Sequence, residues 1–122
     1  MNKYHNKITY TFGRKFDSKK ERDRYFVLLD MMNNGEINKL ELQKKFKLQE
    51  GFVYNGKKQR AITYIVDFFY YDNKLKCYVA EDVKSKATRK DTTYRIKCKM
   101  FMYKYHDILF KEVLWNKLIL IN

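Results

Sequence analysis

Proline is missing from this chain altogether, and histidine and cysteine occur only twice each. Each scarcity removes a class of chemistry. Cys77 and Cys98 lie far apart and form no Cys-x-x-Cys. That argues against a structural zinc site and suits a reducing compartment. His5 and His106 are too few to serve a zinc deaminase or another His-based metalloenzyme, and they read as incidental. No apolar run is long enough to span a bilayer, and the polar N-terminus has no signal-peptide core. A soluble, cytoplasmic protein with no membrane partner is expected. No repeat or low-complexity linker divides the 122 residues, so one domain over 1–122 is expected, loose over 1–7 and carrying an apolar tail over 115–122. That tail reads equally as an edge strand, a strap over the core or a dimer contact.

Acids are scarce relative to bases. Lys and Arg number 27 against 14 Asp and Glu, a net charge of +13. Such a balance favours a polyanionic partner, nucleic acid before an acidic membrane surface. The same chain is rich in Lys, Asn, Ile, Tyr and Phe, a bias that AT-rich genes also produce. With 45% hydrophobic residues there is enough apolar material for one core.

The organising stretch is 62–84. Ile62-Thr63-Tyr64-Ile65-Val66 meets Asp67, runs on through Phe68-Phe69-Tyr70-Tyr71, turns at Asp72-Asn73-Lys74 and returns from Leu75 into Glu81-Asp82-Val83-Lys84. This predicts a β-hairpin with an acid midway along its first strand and Asp-x-Lys at the end of its second. Side chains two apart on a strand share a face, so Asp82 and Lys84 point the same way, and antiparallel pairing can bring Asp67 beside them. Two carboxylates and a lysine among aromatics are costly to bury without a purpose.

Around that hairpin, alternation predicts a strand over 8–12. Ser18-Lys19-Lys20-Glu21 has the form of a capping box opening a helix to about Asn33, with Gly35 at its exit. The helix's apolar stripe is Tyr25, Leu28, Leu29 and Met32, and helical spacing projects Glu21 onto it. Residues 36–49 alternate with period two, as one long strand or two with a bend, placing Leu40, Leu42, Phe46 and Leu48 on one face with Lys44 interrupting. Asn55-Gly56 after Phe52-Val53-Tyr54 is a strong hairpin signal. Past Lys84 the chain turns basic, and Asp91, Thr92 or Thr93 can cap a second helix over 93–105 with Ile96, Met100 and Tyr103 as its buried stripe. A last strand over 108–114 follows. The fold class is α/β: a central mixed sheet flanked by helices.

Phosphodiester hydrolysis needs a nucleophilic water, neutralised phosphate charge and a stabilised leaving oxygen, all of which one or two Mg²⁺ ions supply. Mg²⁺ takes oxygen ligands. Asp67 and Asp82, with the Val83 carbonyl as a further candidate, are the expected ligands. Glu21 completes the site or holds a metal-bound water, unless it serves only as a helix cap. Lys84 orients the water or stabilises phosphate charge.

Glu21, Asp67 and Asp82-Val83-Lys84 resemble the signature of the PD-(D/E)xK nuclease superfamily, especially its small phage endonuclease-like and Holliday-junction-resolvase-like members. Five segments are similar to a widespread phage family of unknown function: Phe16-Asp17-Ser18-Lys19-Lys20-Glu21, Leu40-Glu41-Leu42-Gln43, Tyr54-Asn55-Gly56-Lys57-Lys58, residues 61–68, and Glu81-Asp82-Val83-Lys84. The resemblance covers about residues 8–114. It implies a restriction-endonuclease-like core of helix, three antiparallel strands, helix and strand, with Mg²⁺ as cofactor, Mn²⁺ as its substitute and DNA as substrate. It also implies a supporting role for Gln43. Val66 stands where the superfamily's name has proline, and Lys44 where related sequences often have one. Glu81 replaces Asp82 as second acid if the register slips, although face parity with Lys84 favours Asp82.

The expected activity is a metal-dependent DNA endonuclease, phage-encoded and acting on branched DNA, as a homodimer matching the two-fold symmetry of a four-way junction. Arg60, Lys86, Arg89, Lys90, Arg95, Lys97 and Lys99 are the candidate phosphate contacts. The rival expectation is a nucleic-acid-binding or inhibitory module that keeps the fold without turnover. An RNase is a third option.

Overall fold

The computed structural model describes residues 9–11, 14–16, 18–114 and 120–121, with side chains described over 18–85 and 87–114. A small hairpin opens it: β1 (Thr9–Thr11) antiparallel to β2 (Arg14–Phe16). Helix α1 (Lys19–Asn33) begins at Ser18, whose hydroxyl accepts the Glu21 N–H at 3.0 Å. It ends at Asn34, and Gly35 takes φ +78°, the left-handed exit that glycine adopts without penalty. Then follow β3 (Ile37–Gln49), β4 (Phe52–Tyr54), β5 (Lys57–Gln59), β6 (Ile62–Asp72), β7 (Cys77–Lys84), α2 (Lys86–Arg89), α3 (Thr92–Lys104), β8 (Leu109–Leu114) and β9 (Leu120–Ile121).

The main sheet has the order β3-β6-β7-β8-β9. Its pairs are antiparallel except β7 with β8, which run parallel because α2 and α3 carry the chain back between them. The fold is therefore α/β, a mixed central sheet flanked by helices. The sequence of α1, antiparallel β3, β6 and β7, α3 and β8 is the order that the resemblance implies. In the 115–122 tail, Leu120 and Ile121 pair with β8 as an edge strand.

Each face of the sheet carries its own core. On one, Tyr25 and Leu28 of α1 pack against Ile37, Phe68, Tyr70, Val79, Val83 and Val113. On the other, Cys98 and Phe101 of α3 pack against Phe46, Leu48, Tyr64, Val66, Phe69, Ala80 and Phe110. Three expectations change here. Met31, not Met32, joins the α1 core. The α3 stripe is Tyr94, Cys98, Phe101 and Tyr105, spaced four, three and four. Of the predicted stripe Met100 packs against this core, whereas Ile96 and Tyr103 are exposed. The short helix α2, capped by a reciprocal Ser85–Thr88 box, was not anticipated.

The third change bears on function. Leu40 and Leu42 face α1, whereas Phe46 and Leu48 face α3. Strand β6 switches too: Ile62, Tyr64 and Val66 meet α3, but Phe68 and Tyr70 meet α1. The flanking pairs, Leu42 with Phe68 and Lys44 with Val66, put Gln43 opposite Asp67 at the switch, with no register shift between them. Gln43 has φ +54°, a left-handed conformation that costs a non-glycine residue about 1–2 kcal/mol. Simple alternation fails at this point because both strands turn over together.

Candidate active site

The β6–β7 ladder ends at Phe68 with Glu81. Beyond it β6 stays with β3 and β7 stays with β8, so Asp67 and Asp82 stand where the sheet opens. Side chains take over from the ladder. The Asp67 N–H donates to Asp82 Oδ1 at 2.9 Å, and the Val83 N–H donates to Asp67 Oδ2 at 2.8 Å. Each acid thus satisfies the other strand's backbone just past the last paired residues, and the two carboxylates come together as the hairpin reading expects.

Glu21 reaches the same place from α1. It is buried, 4% exposed, and its Oε2 accepts from Gln43 Nε2 at 2.8 Å. The same amide lies 3.4 Å from Asp67 Oδ1, so Gln43 bridges the two acids with its donor end. Its left-handed backbone sits at the one level where it can serve both.

Strand parity sends Glu81 and Asp82 to opposite faces. Glu81 turns to the α1 face, where Arg24 Nε and Nη2 donate to its two oxygens at 2.8 Å each and Tyr70 adds its hydroxyl. Asp82 turns to the α3 face with Lys84. Asp82 is 1% exposed and accepts from the Tyr64 hydroxyl. Burial pushes its carboxyl up to about 7; Lys84 and the Asp67 N–H oppose that shift, and Glu112 adds to it.

Lys84 Nζ lies 4.7 Å from the centre of the Tyr94 ring, within cation–π range. Burial alone would lower its pKa, but the charges of Asp82, Asp67 and Glu21 outweigh burial and raise it. It therefore stays protonated at neutral pH.

Three residues of this neighbourhood escaped the sequence reading. Glu112 is buried beside Asp82 across the β7–β8 pair and is held by Arg89 Nε and the Tyr94 hydroxyl. Tyr94 in turn carries Lys84 over its ring; burial, the Asp82 charge and the Glu112 hydrogen bond all push its phenol upward in pKa. Tyr64 fixes Asp82 and lies 3.7 Å from Cys98 Sγ, whose thiol burial raises to about 12. Glu112 carried a legible signal, sitting two residues from both Phe110 and Leu114 on an apolar alternation. The two tyrosines were hidden among eleven.

Of the candidate phosphate contacts, Arg60, Lys90, Arg95 and Lys99 are exposed, and Lys97 is half-buried. Arg89 is engaged with Glu112, and the Lys86 side chain lies outside the described residues. Among the described residues no three His, Cys, Asp or Glu side chains already form a metal-binding group. The donor set is nevertheless chemically suited to Mg²⁺. Glu21, Asp67 and Asp82 offer only carboxylate oxygens, and the Gln43 amide hydrogens lie between the first two, where a positive group is wanted. No helix among the described residues is long and apolar enough to cross a membrane.

A family model described as a protein of unknown function (DUF1064) matches residues 1–117. The chain belongs to that family. No match was found among curated proteins or among solved structures.

Proposed function

We propose that this protein is a metal-dependent DNA endonuclease of PD-(D/E)xK type, with Asp67, Asp82 and Lys84 as its catalytic core. The observation that carries the reading is the meeting of these three side chains where the β6–β7 ladder opens. Asp82 is buried there against a backbone N–H and a tyrosine rather than in an ion pair. Asp67, Asp82, Glu21 and the Val83 carbonyl would hold Mg²⁺ or Mn²⁺. When bound, the ion supplies the lowered water pKa and the neutralised phosphate charge that hydrolysis needs. Lys84, protonated, cannot accept a proton; it positions the attacking water and carries negative charge developing on the phosphate. Gln43 holds Glu21 and Asp67 at a fixed separation. Arg60, Lys90, Arg95 and Lys99 track backbone phosphates without reading sequence.

Branched DNA is the leading substrate and a homodimer the working form. Ile96, Met102 and Tyr103 of α3 are exposed apolar side chains suited to a subunit contact. The second reading is a binding or inhibitory module on the same fold. It is favoured by one observation: Asp67 and Asp82 both satisfy backbone N–H groups, a structural use that needs no turnover.

The test is cleavage of supercoiled plasmid, linear duplex, a labelled four-way junction and an RNA of the same sequence in Mg²⁺, Mn²⁺ or EDTA, beside Asp67→Ala and Lys84→Ala. Metal-dependent cutting lost in both variants supports the nuclease, and the preferred substrate names its class. Tight, salt-sensitive binding without cutting under any metal, equal in all three proteins, leaves the binding module.

A further inference from the structure

The chain between β3 and β6 is longer than a turn requires. The two strands stop pairing at Gln49 with Ile62, and a separate ribbon continues: Phe52 opposite Gln59, Val53 opposite Lys58, Tyr54 opposite Lys57. Asn55 and Gly56, at φ +49° and +76°, close it in the two-residue turn that both positive angles define. Its stem is tight. A Cβ on Gly51 would lie 2.9 Å from the Gln59 carbonyl oxygen and 3.3 Å from the Ala61 nitrogen, so only glycine lets the two strands approach there.

The ribbon stands clear of both cores. Every residue over 50–60 is exposed, Val53 at 70% and Tyr54 at 72%. Phe52 is 48% exposed, and apolar side chains left this open contribute little to holding a two-stranded ribbon, which is marginal by itself. Period-two geometry sets Phe52 and Tyr54 on one face with Gln59 and Lys57 opposite them. Charge indicates what covers that face. Residues 51–66 contain no acid, while Lys57, Lys58 and Arg60 accompany the aromatics. An aromatic pair flanked by cations, with amide hydrogen bonding beside it, matches bases and their phosphates. It does not match an apolar protein surface, where the cations would be left without partners. Reach is also suitable. Ten residues from Lys57 to Asp67 span at most about 34 Å, no more than one duplex turn of about 34–36 Å.

We infer that the 52–59 ribbon is a stacking element for unpaired bases: Phe52 and Tyr54 take base faces, Lys57 takes the adjoining phosphate, and Lys58 and Arg60 grip the backbone from the other side. This rests on the nucleic-acid reading above and narrows it. The favoured substrate has unstacked bases within one turn of the cleaved bond, as forks and junctions do, rather than continuous duplex.

The test compares wild type, Phe52→Ala/Tyr54→Ala and Lys57→Ala/Lys58→Ala by fluorescence anisotropy in EDTA, so that no cutting is required. The probes are a fork, a four-way junction and a duplex of equal length, the first two carrying 2-aminopurine at the branch. The aromatic pair should lose about 10- to 100-fold affinity for fork and junction, lose the 2-aminopurine quenching, and change less than about 3-fold on duplex. The lysine pair should weaken all three DNAs alike and flatten the salt dependence. Equal affinity of the aromatic variant and wild type for the fork overturns the inference, as does a wild type that binds no DNA. So does loss of binding that coincides with a dimer falling to monomer by light scattering, which makes the ribbon a subunit contact. Catalysis failing while fork-selective binding survives sinks the nuclease reading and leaves the ribbon's role standing.

Discussion

Glu81 and Asp82 are neighbours on one strand, both essentially withdrawn from water, and they have opposite fates. Glu81 faces α1 and meets a bidentate guanidinium and a tyrosine, so both its oxygens are held and its charge is answered by a cation. Asp82 faces α3 and meets a backbone N–H, a tyrosine, an ammonium acting through space and another acid, Glu112. A buried carboxylate fully answered by a cation is a structural device. One left near pH 7 by its surroundings holds its charge loosely, which is what binding a cation or exchanging a proton requires. The comparison teaches that burial alone does not mark a site; incomplete compensation does.

The sharpest way to break the comparison is to neutralise each acid. Asp82→Asn and Asp67→Asn are expected to lower single-turnover junction cleavage by more than about 10³-fold while leaving the protein folded by circular dichroism. Glu81→Gln should do the reverse. It strands the Arg24 charge in the α1 core, so stability should fall by about 3–5 kcal/mol in urea titration, with cleavage per folded molecule changed little. Replacing Arg24 and Glu81 together by methionine should recover most of that loss. If Glu81→Gln abolishes cleavage in folded protein, the two faces are not the separate systems described above.

How much of this was legible in the sequence follows the same division. The hairpin over 62–84, the Ser18 cap, the Asn55-Gly56 turn and the convergence of Asp67 with Asp82 could be read because each depends on residues near one another in the chain. The Arg24–Glu81 pair could not: its partners are 57 apart, and one arginine on a basic helix looks like the next. The face switch at Gln43 was equally hidden. Positive φ is ordinarily announced by glycine or asparagine, and here glutamine and lysine adopt it, at Gln43 and Lys39. Only the packing of two helices on opposite faces makes the switch worth its strain. Glu112 was visible as a carboxylate on an apolar alternation, but its meaning depended on which strand lay beside it, and the parallel β7–β8 pairing is a property of the whole fold.

A subtler difference between the faces should emerge with pH. The Asp82 carboxyl has an ordinary value near 3.8 and is raised to about 7 in the fold. Between those values the folded protein holds a proton that the unfolded chain has lost. Stability in EDTA should therefore fall as pH rises from about 4 to about 7, the full effect being at most about 4 kcal/mol. Asp82→Asn should remove that part of the slope and be the more stable protein at pH 8. Urea titrations at pH 5 and pH 8 check this, and parallel slopes for variant and wild type would place the charge burden elsewhere.

The smallest expected effect probes the hinge between the two faces. Gln43 does two things at once: its backbone takes a left-handed turn where β3 and β6 change sides, and its amide ties Glu21 to Asp67. Substitution separates them. In an ordinary strand glycine is less stable than alanine by roughly 0.5–1 kcal/mol, because it loses more freedom on folding. At φ +54° the order should invert, with Gln43→Gly about 1 kcal/mol more stable than Gln43→Ala, since alanine keeps the strain and glycine does not. Both variants lack the amide, so both should lose cleavage to the same degree, about 10- to 100-fold, if Gln43 acts by positioning the acids. Equal stabilities with unequal cleavage would instead put the function of this position in its backbone, as the bend that brings Glu21 of one face to Asp82 of the other.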